Sequence, residues 1–213
     1  MKGDPREGNF KNRAYSVIKA KIINCELMPR SILDQTALMQ EIGVSRTPIR
    51  EAIHALEQEG LVVIMPRRAV LVSSISLNEL EHIYTVREAL EPLIVRLATP
   101  AAEQAELQNF HRIFSGGQTD YQVFCRNDFL MHNYFAQKTG NPYLIRLMEN
   151  VLSQNLRVVV MGAKIPDRLA DSNREHVEVI ERMLARDAEG AEAAMRRHIA
   201  SAKKVASIVN TIL

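Results

Sequence analysis

The sequence predicts a mainly α protein: an N-terminal winged helix-turn-helix with a small β-hairpin wing, then a C-terminal all-α helical bundle. Three observations carry this. Two short apolar helical patterns meet at Gly43. Two short β-type runs flank the basic tip Pro66-Arg67-Arg68. From Leu77 onward the helical pattern is almost unbroken. A chain of 213 residues has room for two compact units, one at 14–75 and one at 76–213. Residues 1–13 are polar and glycine-containing, and are expected to form a mobile arm.

In the first unit, Leu38, Met39 and Ile42 give a short helix its apolar face, and Gly43 ends it because glycine tolerates positive φ. Ser45 or Thr47 can accept the orphan N–H groups of the next helix. Pro48 sits in its first turn, where a missing N–H costs little. Ile49, Ile53 and Leu56 recur at i, i+4 and i+7 and mark the buried face. Arg46 and Arg50 share another face. Two cations in the first turns oppose the helix dipole, so their placement calls for an outside partner. Guanine edges and phosphates suit, since arginine meets both with paired hydrogen bonds. Glu59-Gly60 ends this helix. Leu61 to Met65 and Ala69 to Val72 then read as two strands, with Arg67 and Arg68 at the tip able to reach a phosphate backbone or minor groove.

Charge agrees with that division. Up to residue 75 there are 11 Lys and Arg against 8 Asp and Glu, and beyond it 16 against 17. The basic surplus therefore falls on the half with the helix-turn-helix. Hydrophobic residues make up 46% with no Trp, so the cores must be aliphatic and rich in Met. Cys25 and Cys125 stand alone, as expected of idle thiols in a reducing cytoplasm. No apolar run follows Lys2, so a secretory signal is not expected, and the run near Val158 to Ala163 is too short to span a membrane. The expected location is the cytoplasm.

In the second half, helices are expected from Leu77, from Ala101 to about Phe114, from an Asp120 cap to Lys138, from Pro142 to about Ala163, from Arg168 to about Arg186 and from Ala188 to Ile212. Short links between long helices imply antiparallel neighbours. Asp128 and His132, four apart, share a helix face. His176 and His198 each lie eleven residues from Asp187 in the turn between the last two helices. At ~1.5 Å per residue both would stand about 16 Å from that turn, at one height. Spacing alone leaves two options open: convergence in the bundle interior, or histidines that are exposed or satisfied in a core. Arg87, three residues past Tyr84 and four before Glu91, suits either a surface ion pair or a cavity-facing cation. His54, His82 and His111 are set aside, because Glu51-x-x-His54 lies on the recognition helix and Glu79-x-x-His82 precedes the bundle core. Neither a His-Glu-x-x-His motif nor a recognisable nucleophile context occurs.

The Val44-Ser45-Arg46-Thr47-Pro48-x-Arg50-Glu51-Ala52 run, the Leu56-Glu57-x-Glu59-Gly60-Leu61-Val62 run and the wing resemble the GntR family of bacterial transcription regulators, from about Ala14 to Val72. Three positions depart from it. Arg30 follows Pro29 where the family usually has glycine, Gln35 or Thr36 replaces a common basic residue, and Ala69 replaces the wing glycine. Residues 76–210 resemble the FCD domain of the FadR subfamily, through Tyr84-x-x-Arg87-x-x-x-Glu91, Asp128-x-x-x-His132, Gly140-Asn141-Pro142, Glu175-His176 and His198. The resemblance implies a divalent metal held by Asp128, His132, His176 and His198, with Zn first and Ni, Mn or Fe open to the same donors. It also implies that Arg87 faces the cavity and grips a carboxylate two-pronged. DNA contacts are expected from Ser45, Arg46, Thr47, Arg50, Arg67 and Arg68.

Taken together, these features lead us to expect a homodimeric, non-enzymatic regulator of a pseudo-palindromic double-stranded operator, with no membrane partner. A small carboxylate metabolite beside the metal would set its DNA affinity. Two alternatives use the same bundle. One is a metal-dependent hydrolase, since an ion with open positions can activate water. The other is a direct sensor in which the ion is itself the signal.

Overall fold

The protein was analysed as a computed structural model describing residues 5–24, 26–66, 69–74, 76–117, 120–162 and 167–212. It divides into two compact units, Met1–Ile75 and Ser76–Leu213.

The first unit opens with α1 (Pro5–Ile23), followed by α2 (Gln35–Ile42), α3 (Arg46–Gln58) and the antiparallel strands β1 (Val62–Ile64) and β2 (Val70–Val72). Most of the stretch expected as a mobile arm is instead the first half of α1. Proline at a first helical position forgoes only an N–H that would be unpaired anyway. The buried stripe Ala14, Ile18 and Ile22 begins late in the helix, and residues 10–13 are exposed. An apolar pattern therefore signals only the C-terminal half. That stripe packs on Ile49, Ile53 and Leu56 of α3, and Lys19 Nζ donates to Glu59 Oε2 at 2.7 Å just past the end of α3.

Asp34 caps α2, accepting from Thr36 N at 2.9 Å and Ala37 N at 3.0 Å, and Gly43 ends it at φ 71. Ser45 holds the extended N-cap position of α3, but its side chain makes no capping bond. The cap assigned from sequence to Ser45 or Thr47 is thus not formed by Ser45, whose hydroxyl stays exposed. Arg30 takes φ 65, the left-handed conformation that glycine adopts at least cost, and its N–H donates to Val72 O at 2.8 Å. Leu33 N donates to Val70 O at 2.8 Å, so the segment before α2 lies along β2.

The second unit comprises α4 (Leu77–Ala98), α5 (Gln104–Ser115), α6 (Tyr121–Lys138), α7 (Pro142–Gly162), α8 (Arg168–Leu184) and α9 (Ala188–Ile212). Helix α9 packs against α4, α7 and α8, while α6 packs against α4 and α7. Leu80, Tyr84, Phe114, Phe135, Val179 and Met195 are among its fully buried side chains. Leu97 is 45% exposed near the end of α4.

Two caps fix the register of the helices. Asp120 starts α6, accepting from Gln122 N at 2.8 Å, and Asp187 starts α9, accepting from Gly190 N at 2.9 Å. Between α8 and α9 the chain turns at Arg186, φ 58. The Arg186 guanidinium donates to the Thr99 and Ala102 carbonyls beyond α4, which ties the α8–α9 turn to the end of α4.

Candidate metal centre and DNA-reading helix

Four buried side chains from three helices meet inside the second unit. Asp128 and His132 come from α6, His176 from α8 and His198 from α9, and one ligand atom from each lies within 4.8 Å of all the others. His176 Nε2 is 3.2 Å from Asp128 Oδ1 and 3.3 Å from His198 Nε2, and His132 Nε2 is 3.8 Å from the same carboxylate oxygen. Ligand atoms ~2.0–2.1 Å from a shared ion sit roughly 3.3 Å apart at tetrahedral corners, so the spacing suits a small divalent cation. The donor chemistry agrees. His132 Nε2 is fully buried with no hydrogen-bond partner, an arrangement that costs free energy unless something else takes the nitrogen's lone pair. Three imidazoles and a carboxylate suit Zn, Ni, Mn or Fe.

The histidines are held from behind. His132 Nδ1 contacts Glu91 Oε2, and Glu91 Oε1 accepts from Arg87 Nε. His198 Nδ1 is 2.8 Å from Glu175 Oε2, which is 3.2 Å from Arg168 Nη1. Each is a carboxylate–histidine pair that turns the opposite ring nitrogen toward the cluster, as ligand histidines are commonly oriented. His176 is positioned by packing, its ring stacked on Phe124 at 16° and 4.5 Å from the Phe114 centroid.

These contacts set the charge states. Burial alone would raise the Asp128 and Glu91 carboxyls, but the three histidines around Asp128 hold it well below the usual range. Arg87 and His132 hold Glu91 down at about 2. Burial lowers His176 and His198, so both stay neutral, as ligation requires.

Arg87 is 1% exposed. It is not a surface ion-pair partner, because its guanidinium lies over the Tyr84 ring and faces a cavity shared with Asp128, His198 and Arg168. Glu91 and Glu175 stand within the motifs named above, but the sequence alone assigns neither them nor Arg168 a role behind the histidines. The signal was present for both acids. Glu91 is one turn past Arg87, and Glu175, beside His176, points about 100° round α8 toward α9.

In the first unit, Ser45, Arg46, Thr47 and Arg50 are all exposed. Arg46 and Arg50 line one groove with Gln35, Thr36 and His54, the last two turns along α3 from Arg46. The apolar stripe Ile49, Ala52, Ile53 and Leu56 is buried on a neighbouring face of α3, roughly a quarter-turn round, which leaves the arginines exposed at its edge. Arg67 and Arg68 lie outside the described residues, as does Cys25, whereas Cys125 is buried.

Comparison with known proteins agrees with both units. The profile of the bacterial regulatory proteins of the gntR family matches residues 10–72, and that of the FCD domain matches residues 82–201. The uncharacterised HTH-type regulator YdhC of Bacillus subtilis is 26% identical over 191 residues, spanning 86% of this chain and 85% of that one. The HTH-type transcriptional repressor RspR of Escherichia coli is 25% identical over 193 residues, spanning 87% and 83%. Among solved structures, E. coli McbR/YncC superposes with a TM-score of 0.82 at 20% identity, covering 93% of this chain and 97% of that one. The Zn2+-bound FCD domain of TM0439 superposes at 0.51 and 22% identity, covering 65% and 96%. The chain belongs to the gntR family of bacterial regulatory proteins, and its helical unit is an FCD domain.

Proposed function

We propose that the protein is a transcription regulator whose hold on its operator is set by a small carboxylate bound beside a divalent metal. The observation that carries the reading is that Asp128 and His198, two of the four clustered side chains, line the same cavity as Arg87. Zinc is the first choice of ion, since the related FCD domain of TM0439 binds it. Asp128, His132, His176 and His198 would hold the ion, which would supply a Lewis-acidic partner for an anionic oxygen. Arg87, backed by Glu91 and stacked on Tyr84, would grip the same carboxylate with its remaining N–H groups.

On the DNA side, Arg46 and Arg50 would read base edges and phosphates from α3. Ser45 and Thr47 would add backbone contacts, with Arg67 and Arg68 reaching from the wing. A homodimer would place two such helices on a pseudo-palindromic site. The relatives named as transcriptional regulators and repressors support the same role. No helix among the described residues is long and apolar enough to cross a membrane.

Among the described residues, a hydrolytic reading finds no free carboxylate base beside the cluster. Glu91 and Glu175, the carboxylates nearest the cluster, are each occupied by a histidine and an arginine.

The test is selection of bound sequences from a random DNA library, followed by gel shifts on the enriched site with zinc and a panel of carboxylic acids. A shared two-fold sequence whose binding changes with one acid supports the proposal. Failure to enrich any sequence, with or without zinc, refutes it.

A further inference from the structure

The cluster and its cavity carry a charge imbalance of definite size. From it we infer that the effector is a monoanion, a single carboxylate on a compact and otherwise apolar body. The inference rests on the carboxylate reading above and narrows it.

The described charged side chains of this site are two cations, Arg87 and Arg168, and three anions, Glu91, Asp128 and Glu175. With the three histidines neutral, as ligands must be, the protein contributes a net −1. A divalent ion turns that into +1. Water cannot spread this surplus. Arg87, Glu91 and Asp128 are 1%, 3% and 6% exposed, and a buried charge is costly unless a neighbour compensates it. One carboxylate brings the site to neutrality, while a second carries it past neutrality to −1. Lys203 does not enter the count, because it does not line the cavity and is paired with Glu81 at 3.0 Å and Glu88 at 3.2 Å.

The walls of the cavity point the same way. Beyond Arg87 and the cluster they are formed largely by Phe124, Val158, Leu169, Ala202, Val205 and Ala206. The other cation, Arg168, is already held by Glu175 at 3.2 Å and Ser201 at 3.4 Å. Among the described residues, no further cation lines the cavity to receive a second carboxylate, which would meet mostly hydrocarbon beside the Tyr84 and Ser172 side chains. An apolar tail would bury surface there instead.

Three probes of equal chain length separate the possibilities: butyrate, succinate and butyramide. Isothermal titration of the full chain, loaded with one equivalent of Zn(II), should show butyrate binding at least tenfold more tightly than succinate and no measurable binding of butyramide. Glu175→Gln adds one positive charge to the count. At equal zinc loading it should move the preference toward succinate by about tenfold. Succinate binding as tightly as butyrate in the parent overturns the charge argument while leaving the carboxylate reading intact. Butyramide binding as well as butyrate overturns both. Binding of neither acid overturns the compact monoanion, and so does an unchanged preference in the zinc-loaded Glu175 variant.

Discussion

His176 and His198 stand eleven residues on either side of Asp187, and their Nε2 atoms lie 3.3 Å apart. The cause is the hairpin. In antiparallel helices, residues equidistant from the turn share a height, and Asp187 fixes the count by capping α9. Helix α6 then brings Asp128 and His132 to the same height, and Glu91 and Glu175 aim two of the imidazoles. The arginines that face the cavity grip the same carboxylates that orient the clustered histidines, which would link metal affinity to cavity charge.

Purified protein should carry about one divalent ion per chain, held by Asp128, His132, His176 and His198. His176→Ala should lower that occupancy sharply. Glu91→Gln, which loosens the back of His132, should weaken the ion roughly 10–100-fold. Chelation should lower the melting temperature, because an ion at 100 times its Kd stabilises the folded state by about 2.7 kcal/mol. Elemental analysis and a melting curve check this, and parent protein that takes up no metal after reconstitution would contradict it.

Arg50→Ala should abolish specific operator binding while leaving the fold intact, since the side chain is exposed and lies outside the buried stripe of α3. Loss of one bidentate base contact costs roughly 1–3 kcal/mol in each half-site. Gel shifts on the selected operator, alongside a melting curve of the variant, measure both. Unchanged affinity would remove α3 from the role of reading helix.

Much of this architecture was legible because it is local. Gly43, Asp120 and Asp187 mark helix ends through backbone rules that need no tertiary information, and i, i+4 spacing pairs Asp128 with His132. Helix periodicity also showed which face of α3 is buried. The beginning of α1 was not legible, because an exposed helical stretch such as residues 10–13 has no apolar period to betray it. Spacing put Glu91 one turn from Arg87, but not behind His132. Whether Glu91 is a surface acid or the support of His132 depends on α6 lying against α4, a long-range contact that spacing within one helix cannot report.

Arg30→Gly should stabilise the first unit. Arg30 sits at φ 65, and a side-chain-bearing residue there costs roughly 1–2 kcal/mol relative to its relaxed conformation. Glycine removes that strain but adds roughly 0.5–1 kcal/mol of unfolded-state entropy. The net gain should be about 0.5–1 kcal/mol, or a few degrees in the melting temperature of a unit this size. The Arg30 N–H bond to Val72 O is kept in the variant. A fall in melting temperature would show that the arginine side chain compensates for its backbone.

Arg87 needs a gentler substitution than alanine. Truncation would strip Glu91 of its arginine inside the bundle, where breaking a buried pair costs roughly 3–5 kcal/mol, so loss of binding could simply report unfolding. Arg87→Lys keeps the positive charge but not the planar fork that meets a carboxylate with two parallel bonds. The variant should fold, hold its metal and bind operator DNA as the parent does, yet bind the effector acid at least tenfold more weakly. Its DNA response should shrink in step, because a ligand moves an equilibrium only by its unequal affinity for the two states. Calorimetry with the acid that alters operator binding by the parent decides it. If the lysine variant binds that acid as tightly as the parent, Arg87 acts only as a counter-ion for Glu91 and the two-pronged grip is wrong.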